Sequence, residues 1–175
     1  PNFMNIPGEN LINVMSSNEY LTRVNLMDAA NPQTDTPLNI GKKVLVVGGG
    51  NTAMDSCRTA KRLGADVTIV YRRSEAEMPA RAEEVKHAKE EGINFMCLHN
   101  PIEYIADESG AVKQAVLQVM TLGEPDASGR RSPVPVEGKT VTVDTDQVIV
   151  AIGVSPNPLV PKSIKDLTLG RKNTI

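Results

Sequence analysis

Val44-Leu45-Val46-Val47 is a short unbroken apolar run that passes through Gly48-Gly49-Gly50 into a stretch where Ala53, Cys57 and Ala60 recur at helical spacing. The run has the length of a strand, and the three-and-four spacing after it marks one face of a helix. A stop at Leu63-Gly64 and a second apolar run, Val67-Thr68-Ile69-Val70-Tyr71, follow. Beyond a loop at 72–79, a helical pattern over about 80–91 stops at Gly92 and leads to a strand over 93–98. The pattern predicts three parallel strands joined by two crossover helices.

Past Pro101 the pattern changes. Residues 102–106 and 111–120, around the turn Asp107-Glu108-Ser109-Gly110, predict a hairpin, and 139–143 a further short strand. Between them, 122–138 is packed with Gly, Pro, Ser and charge and predicts an exposed loop. A buried run over 147–151 then ends in Ile152-Gly153. Residues 1–40 are rich in Pro and Asn and lack a sustained period, except over 17–27, where Ser16 or Ser17 caps a helix with Tyr20, Leu21, Val24 and Met27 on one face. The fold class expected is α/β: a Rossmann-like βαβαβ parallel sheet with an antiparallel β-meander. The division expected is an N-terminal arm over 1–40, a body over 41–155 and a C-terminal segment over 156–175.

The glycines at the first strand end carry the chemistry. Gly48-x-Gly50-x-x-Ala53 between a strand and a helix is a dinucleotide-binding fingerprint: Gly48 permits the tight turn, Gly50 lets the backbone approach a pyrophosphate, and Ala53 lets the helix pack close to the strand. With Gly49 they form the phosphate loop, and backbone N–H groups from about Asn51 onward face the charge. An NAD site of this kind carries an acidic residue at the end of the second strand, and here that strand ends Tyr71-Arg72-Arg73. Two arginines would attract the additional phosphate of NADP. Asp66 stands at the wrong end of the strand, about 15 Å away at about 3.3 Å per residue. NADP(H) is therefore the expected nucleotide, with Arg81 a candidate third cation. Glu83 and Glu84 suit the first turn of their helix, and Lys86, Lys89, Glu90 and Glu91 form a solvated face.

Composition narrows the alternatives. A net charge of -2 over 175 residues excludes the broad basic field that nucleic-acid binding needs, and aromatic residues are too scarce for base-stacking platforms. No apolar run is long enough to span a bilayer and no leader opens the chain, so the expectation is a cytoplasmic protein with no membrane partner. Cys57 and Cys97 are too far apart for a redox pair or metal knuckle and read as free thiols. His87 on a charged helix and His99 in a loop before Pro101 are likewise isolated, and no metal site is expected. Ser56 and Ser74 have no His partner, so no catalytic residue is assigned and the chemistry belongs to the cofactor.

Gly41-Lys42-Lys43, Gly48-Gly49-Gly50-Asn51-Thr52-Ala53-Met54-Asp55, Val70-Tyr71-Arg72-Arg73, Glu77-Met78-Pro79-Ala80, Glu90-Glu91-Gly92 and Ala151-Ile152-Gly153 together resemble the small, or beta, subunit of NADPH-dependent glutamate synthase. Similar segments occur in the flavoproteins of dihydropyrimidine dehydrogenase and ferredoxin:NADP transhydrogenases. The resemblance runs from about Pro7 to Pro158. It implies an NADPH-binding domain inserted within an FAD-binding domain, with hydride passing to flavin and electrons onward through iron-sulfur clusters. By that resemblance Gly50, Asn51, Thr52 and Ala53 contact the pyrophosphate, Arg72 and Arg73 take the 2'-phosphate, and Ala151-Ile152-Gly153 lies near the nicotinamide and the domain junction. Ile6-Pro7-Gly8-Glu9 resembles the FAD-domain stretch before the insertion, and Pro156-Asn157-Pro158 the stretch after it.

Only one fingerprint is present, and two scattered cysteines cannot ligate a cluster. The chain, which starts at Pro1, is therefore expected to be an excised domain that binds NADPH and transfers no hydride alone. FAD would belong to the full-length protein only. The expected partners are the FAD-binding domain of the same parent chain and an iron-sulfur or glutamate synthase large subunit. Two other readings stay open: a stand-alone nucleotide sensor, and a dehydrogenase of small alcohols, for which no acid or base candidate stands out.

Overall fold

The apolar run at Val44 is continuous because its strand is covered on both faces. In the computed structural model, which describes residues 1–127, 129–164, 167–170 and 174, β2 (Lys43–Val47) lies in the middle of a five-stranded parallel sheet. Val44 and Val46 point to one face, into a core with Ala53, Met54, Cys57 and Ala60 of α2 (Asn51–Arg62). Leu45 and Val47 point to the other, into a second core. Alternate side chains along a strand face opposite ways, so an all-apolar strand is what two packed faces require.

The sheet has the order β1-β8-β2-β3-β4. It is completed by β1 (Val14–Ser16), β3 (Asp66–Tyr71), β4 (Asn94–Cys97) and β8 (Gln147–Val150). On one side lie α2, α1 (Ser17–Leu21) and α3 (Ala82–Glu90). Fully buried Ala53, Cys57 and Ala60 let α2 approach the strands closely. Arg58 of α2 ties α3 in place, donating to Glu84 at 2.7 Å and to Glu91 at 2.9 Å, and Arg62 donates to Glu91 at 2.8 Å.

On the other side lies an antiparallel sheet of β5 (His99–Ala106), β6 (Val112–Pro125) and β7 (Arg131–Asp144). Tyr104, Val112, Ala115 and Leu117 pack from it onto Leu45, Val47, Val148 and Val150. The domain is thus three layers: helices, parallel sheet, antiparallel sheet. No described helix is long and apolar enough to cross a membrane.

Four details differ from the sequence reading. Val14–Ser16, within the expected arm, pairs in parallel with β8 and forms the sheet edge; three residues are too few to show a period. The described residues of 122–138 are no loop but the outer part of the β6–β7 hairpin, with Thr121 opposite Val134, Leu122 opposite Pro133 and Pro125 opposite Arg131. Pro133 and Pro135 are tolerated because β7 is an edge strand, where a missing N–H breaks no ladder. A register shift between Gln118 and Met120 is filled by Gln118, whose Nε2 donates to the carbonyls of Val136 at 2.7 Å and Lys139 at 2.9 Å. His99 opens β5 rather than sitting in a loop. The helix over 17–27 is present, with Ser16 Oγ accepting from the Glu19 N–H at 3.2 Å and Tyr20 fully buried, but its second half is a π-turn over Thr22–Leu26 and Met27 is exposed.

Candidate nucleotide-binding site

The carboxyl ends of β2, β3 and β8 meet at one cavity of about 460 Å3. Gly48 makes the convergence possible. Its φ is +139, and a Cβ there would run into the Ala151 carbonyl at the end of β8. Its N–H donates to the Val70 carbonyl at 3.0 Å, and the Ala151 N–H donates to the Val47 carbonyl at 2.8 Å, so the three strand ends are sewn together around this residue. Gly49 lies flat against Tyr71, whose ring a Cβ would meet at 2.8 Å. Gly50 differs: its Cβ position faces open space on the cavity wall. It is also the N-cap of α2, and its carbonyl accepts from Ala53 at 3.0 Å and Met54 at 3.1 Å. The N–H groups of Asn51 and Thr52, at the positive end of a twelve-residue helix, are left for an anionic ligand.

Of the residues singled out in the sequence, Gly48, Gly49, Gly50, Thr52, Arg72, Arg73, Ala151, Ile152 and Gly153 line this cavity. Asn51, Ala53 and Arg81 do not. Ala53 is buried beneath the turn. Asn51 Oδ1 accepts from the Arg81 N–H at 2.9 Å, and the Ala80 N–H donates to the Gly49 carbonyl at 3.1 Å. Asn51 and Arg81 thus fasten the start of α3 across the glycine turn. Asp66 lies at the opposite end of β3, beside a different hollow.

The cavity wall also holds residues that the sequence did not announce: Asn2, Met4, Tyr71, His99, Asn100 and Arg130. Asn2 and Met4 arrive on an N-terminal strap. Glu9 gathers that strap, its carboxylate accepting from the N–H groups of Met4 at 2.7 Å, Asn5 at 2.6 Å and Ile6 at 3.3 Å. The Asn2 N–H donates to the Gly153 carbonyl at 2.9 Å, and Ser155 Oγ donates to Asn2 Oδ1 at 2.7 Å. His99 Nδ1 donates to the Cys97 carbonyl at 2.7 Å. Apart from Tyr71, which ends a strand, these positions carry no local signal, although each lies within a few residues of Gly or Pro.

The electrostatics are one-sided. Among the described residues three arginines, Arg72, Arg73 and Arg130, line the cavity and no carboxylate does. Arg73 Nε donates to the Arg131 carbonyl at 2.8 Å. The Glu77 carboxyl is held below the usual carboxylate range: partial desolvation acts against this, but hydrogen bonds from Ser74 and from the Arg131 N–H outweigh it. Cys57 is buried, which pushes its thiol up to about 12 and leaves it inert. Among the described residues no group of His, Cys, Asp and Glu is arranged to hold a metal ion. The cavity offers phosphate binding and an apolar, backbone-lined floor, with no nucleophile and base in register.

Comparison with known proteins identifies the family and the fold. The sequence profile of the family described as pyridine nucleotide-disulphide oxidoreductase matches residues 1–175. The putative glutamate synthase [NADPH] small chain of Cereibacter sphaeroides is 41% identical over 172 residues, 97% of this chain and 41% of that protein. The NADPH-Fe(3+) oxidoreductase subunit beta of Geobacter sulfurreducens is 51% identical over 122 residues, 69% of this chain and 18% of that subunit. The chain therefore spans less than half the length of these relatives. Among solved structures, Mycobacterium tuberculosis FprA in complex with NADPH superimposes with a TM-score of 0.73 at 18% identity, covering 90% of this chain and 48% of that one, a likeness of fold.

Proposed function

The chain belongs to the pyridine nucleotide-disulphide oxidoreductase family, and from that premise we propose that it is the NADP(H)-binding domain of a flavoprotein oxidoreductase of the glutamate synthase small-subunit type. The observation that carries the reading is the meeting of the glycine turn at the α2 N-terminus with Arg72 and Arg73 at the end of β3, on one cavity. Bound NADPH would supply a hydride, for which the acceptor in the parent protein is FAD on a separate domain.

The chain's own residues have separable tasks. The Asn51 and Thr52 N–H groups and Gly50 hold the pyrophosphate, where helix dipole and unpaired donors favour negative charge. Arg72 and Arg73 hold the 2'-phosphate by charge-assisted bonds. Ala151, Ile152 and Gly153, with Asn2 bonded to Gly153, form the wall at the nicotinamide end. In this reading residues 41–155 are the binding domain, 1–40 the segment arriving from the flavin domain, and 156–175 the segment returning to it. Residues 165–166, 171–173 and 175 of that last segment lie outside the described residues. The partners proposed are the FAD-binding domain and, beyond it, an iron-sulfur or glutamate synthase large subunit in the cytoplasm. Alone, the chain binds nucleotide and transfers nothing.

The test is calorimetric titration of the purified chain with NADPH and NADH side by side, after checking for flavin absorbance. Preference for NADPH with no bound flavin is the expected result. Equal binding of both nucleotides, or of neither, would overturn the assignment.

A further inference from the structure

The three arginines on the cavity do not come from one loop. Arg72 and Arg73 follow β3, whereas Arg130 comes from the tip of the β6–β7 hairpin, in the other sheet. The tip is built to stay there. Arg73 Nε donates to the Arg131 carbonyl at 2.8 Å, and the Arg131 N–H donates to Glu77 Oε1 at 3.3 Å, so both backbone polar groups of Arg131 are bound to the 73–77 segment. Glu77 is itself held by the Ser74 hydroxyl at 3.0 Å.

Within the turn, the Arg130 carbonyl accepts from the Asp126 N–H at 2.9 Å and the Arg130 N–H donates to Asp126 Oδ1 at 3.0 Å. Gly129 takes a φ of +79, where a side chain would be strained. Backbone clasps on both sides thus fix the residue whose side chain reaches the cavity. Arg130 shares the cavity wall with Arg72 and Arg73, and among the described residues no carboxylate lines it. Asp126 and Glu77 are bonded to the backbone of the tip, and three arginines on one cavity wall suit a multiply charged anion, with which guanidinium groups form charge-assisted hydrogen bonds.

We infer that Arg130 is a third ligand for the 2'-phosphate of NADP(H), and that the β6–β7 hairpin is a specificity clasp closing over the adenosine end of the site. The inference rests on the NADP(H) reading above. It also gives the hairpin extension a task that its exposed, proline-containing strands do not explain by packing. Arg131, next in sequence, docks the clasp through its backbone, and its side chain is not on the cavity wall.

The test compares 2',5'-ADP with 5'-AMP, which differ by the phosphate in question, in calorimetric titrations of the full 175-residue chain and of Arg130→Ala, Arg130→Gln and Arg72→Ala. Arg130→Ala and Arg130→Gln are expected to weaken 2',5'-ADP about tenfold, the loss of one charge-assisted contact at a partly exposed site, and to leave 5'-AMP within about twofold. A purely structural role for the hairpin would weaken both ligands together, and that result overturns the inference. If the unmodified chain prefers 2',5'-ADP and Arg72→Ala abolishes the preference while both Arg130 variants keep it, Arg130 is no ligand and the NADP(H) reading stands. If the unmodified chain shows no preference, or binds neither, the NADP(H) reading fails and this inference with it.

Discussion

Gly48 and Gly50 are two residues apart, yet alanine at the two positions should do opposite things. At Gly48 the backbone has a φ of +139 and the new Cβ meets the Ala151 carbonyl. A non-glycine residue forced into sparsely populated backbone space costs about 1–3 kcal/mol. Relief of the clash requires the β8 end to move, stretching the 2.8 Å bond from the Ala151 N–H to the Val47 carbonyl, for about another 1 kcal/mol. The sum is roughly 2–4 kcal/mol, or a fall in Tm of roughly 4–16 °C for a chain of this size. At Gly50 the φ is -91 and the Cβ finds nothing within 4 Å. There the entropy gained by restricting the unfolded chain, about 0.4–1 kcal/mol, offsets a poorer N-cap of similar size, so stability should change by less than about 1 kcal/mol. The methyl group would project into the surface proposed to receive the pyrophosphate, so Gly50→Ala should lose nucleotide binding while melting normally. Thermal melts and NADPH titrations on both variants decide it. A Gly48→Ala protein that melts with the native one, or a Gly50→Ala protein that binds at native affinity, would refute the reasoning.

Other consequences can be measured on the same protein. Arg72→Ala and Arg73→Ala should each remove about 1.5–3 kcal/mol of NADPH binding and leave NADH nearly unchanged, by titration; equal losses would sink the 2'-phosphate assignment. Arg58→Ala should cost about 1–2 kcal/mol in urea melts, because its guanidinium, 21% exposed, holds Glu84 and Glu91 together. The Glu91 carboxyl is held down by its hydrogen bond from Arg62, against some desolvation, and then by Arg58. That share of stability is present above the ordinary carboxylate range and lost as pH falls through the lowered value, so Arg58→Ala should narrow the difference between neutral and acid stability. Burial pushes Cys57 from 9.0 and Tyr20 from 10.0 up to about 12, so the fold favours their neutral forms. Their share of stability is whole below about pH 9 and lost as pH rises toward 12; Cys57→Ala should flatten the alkaline limb of a stability profile. Glu77→Ala should free the hairpin tip and speed tryptic cleavage at Arg130 and Arg131 several-fold, and unchanged cleavage would show that the clasp does not depend on Glu77.

The sequence was readable where local chemistry and fold agree. The run at Val44, the glycine spacing and the Ala53-Cys57-Ala60 stripe each have one sterically sensible conformation, and the structure adopts it. Arg72 and Arg73 were readable because a strand end is a fixed place relative to the glycine turn. The hairpin extension was hidden by composition, since Pro133, Pro135 and Gly123 suggest a loop unless the strand is known to be an edge. Arg130 was hidden for the same reason. Asn2 and Met4 are held at the cavity by the Glu9 carboxylate, the bond to Gly153 and the packing of Met4 on the second core, contacts that no periodicity encodes. Arg81, near the cluster in sequence, lies outside the cavity lining with its backbone N–H bonded to Asn51 and its side chain exposed.

The strap at Asn2 and the segment leaving β8 at Gly153 and Ser155 are bonded to each other side by side. Two joined ribbons bend readily about a shared axis and resist sliding past one another. Because Asn2, Ile152 and Gly153 all stand on the cavity wall, any displacement of either ribbon would change the shape of the cavity at that end.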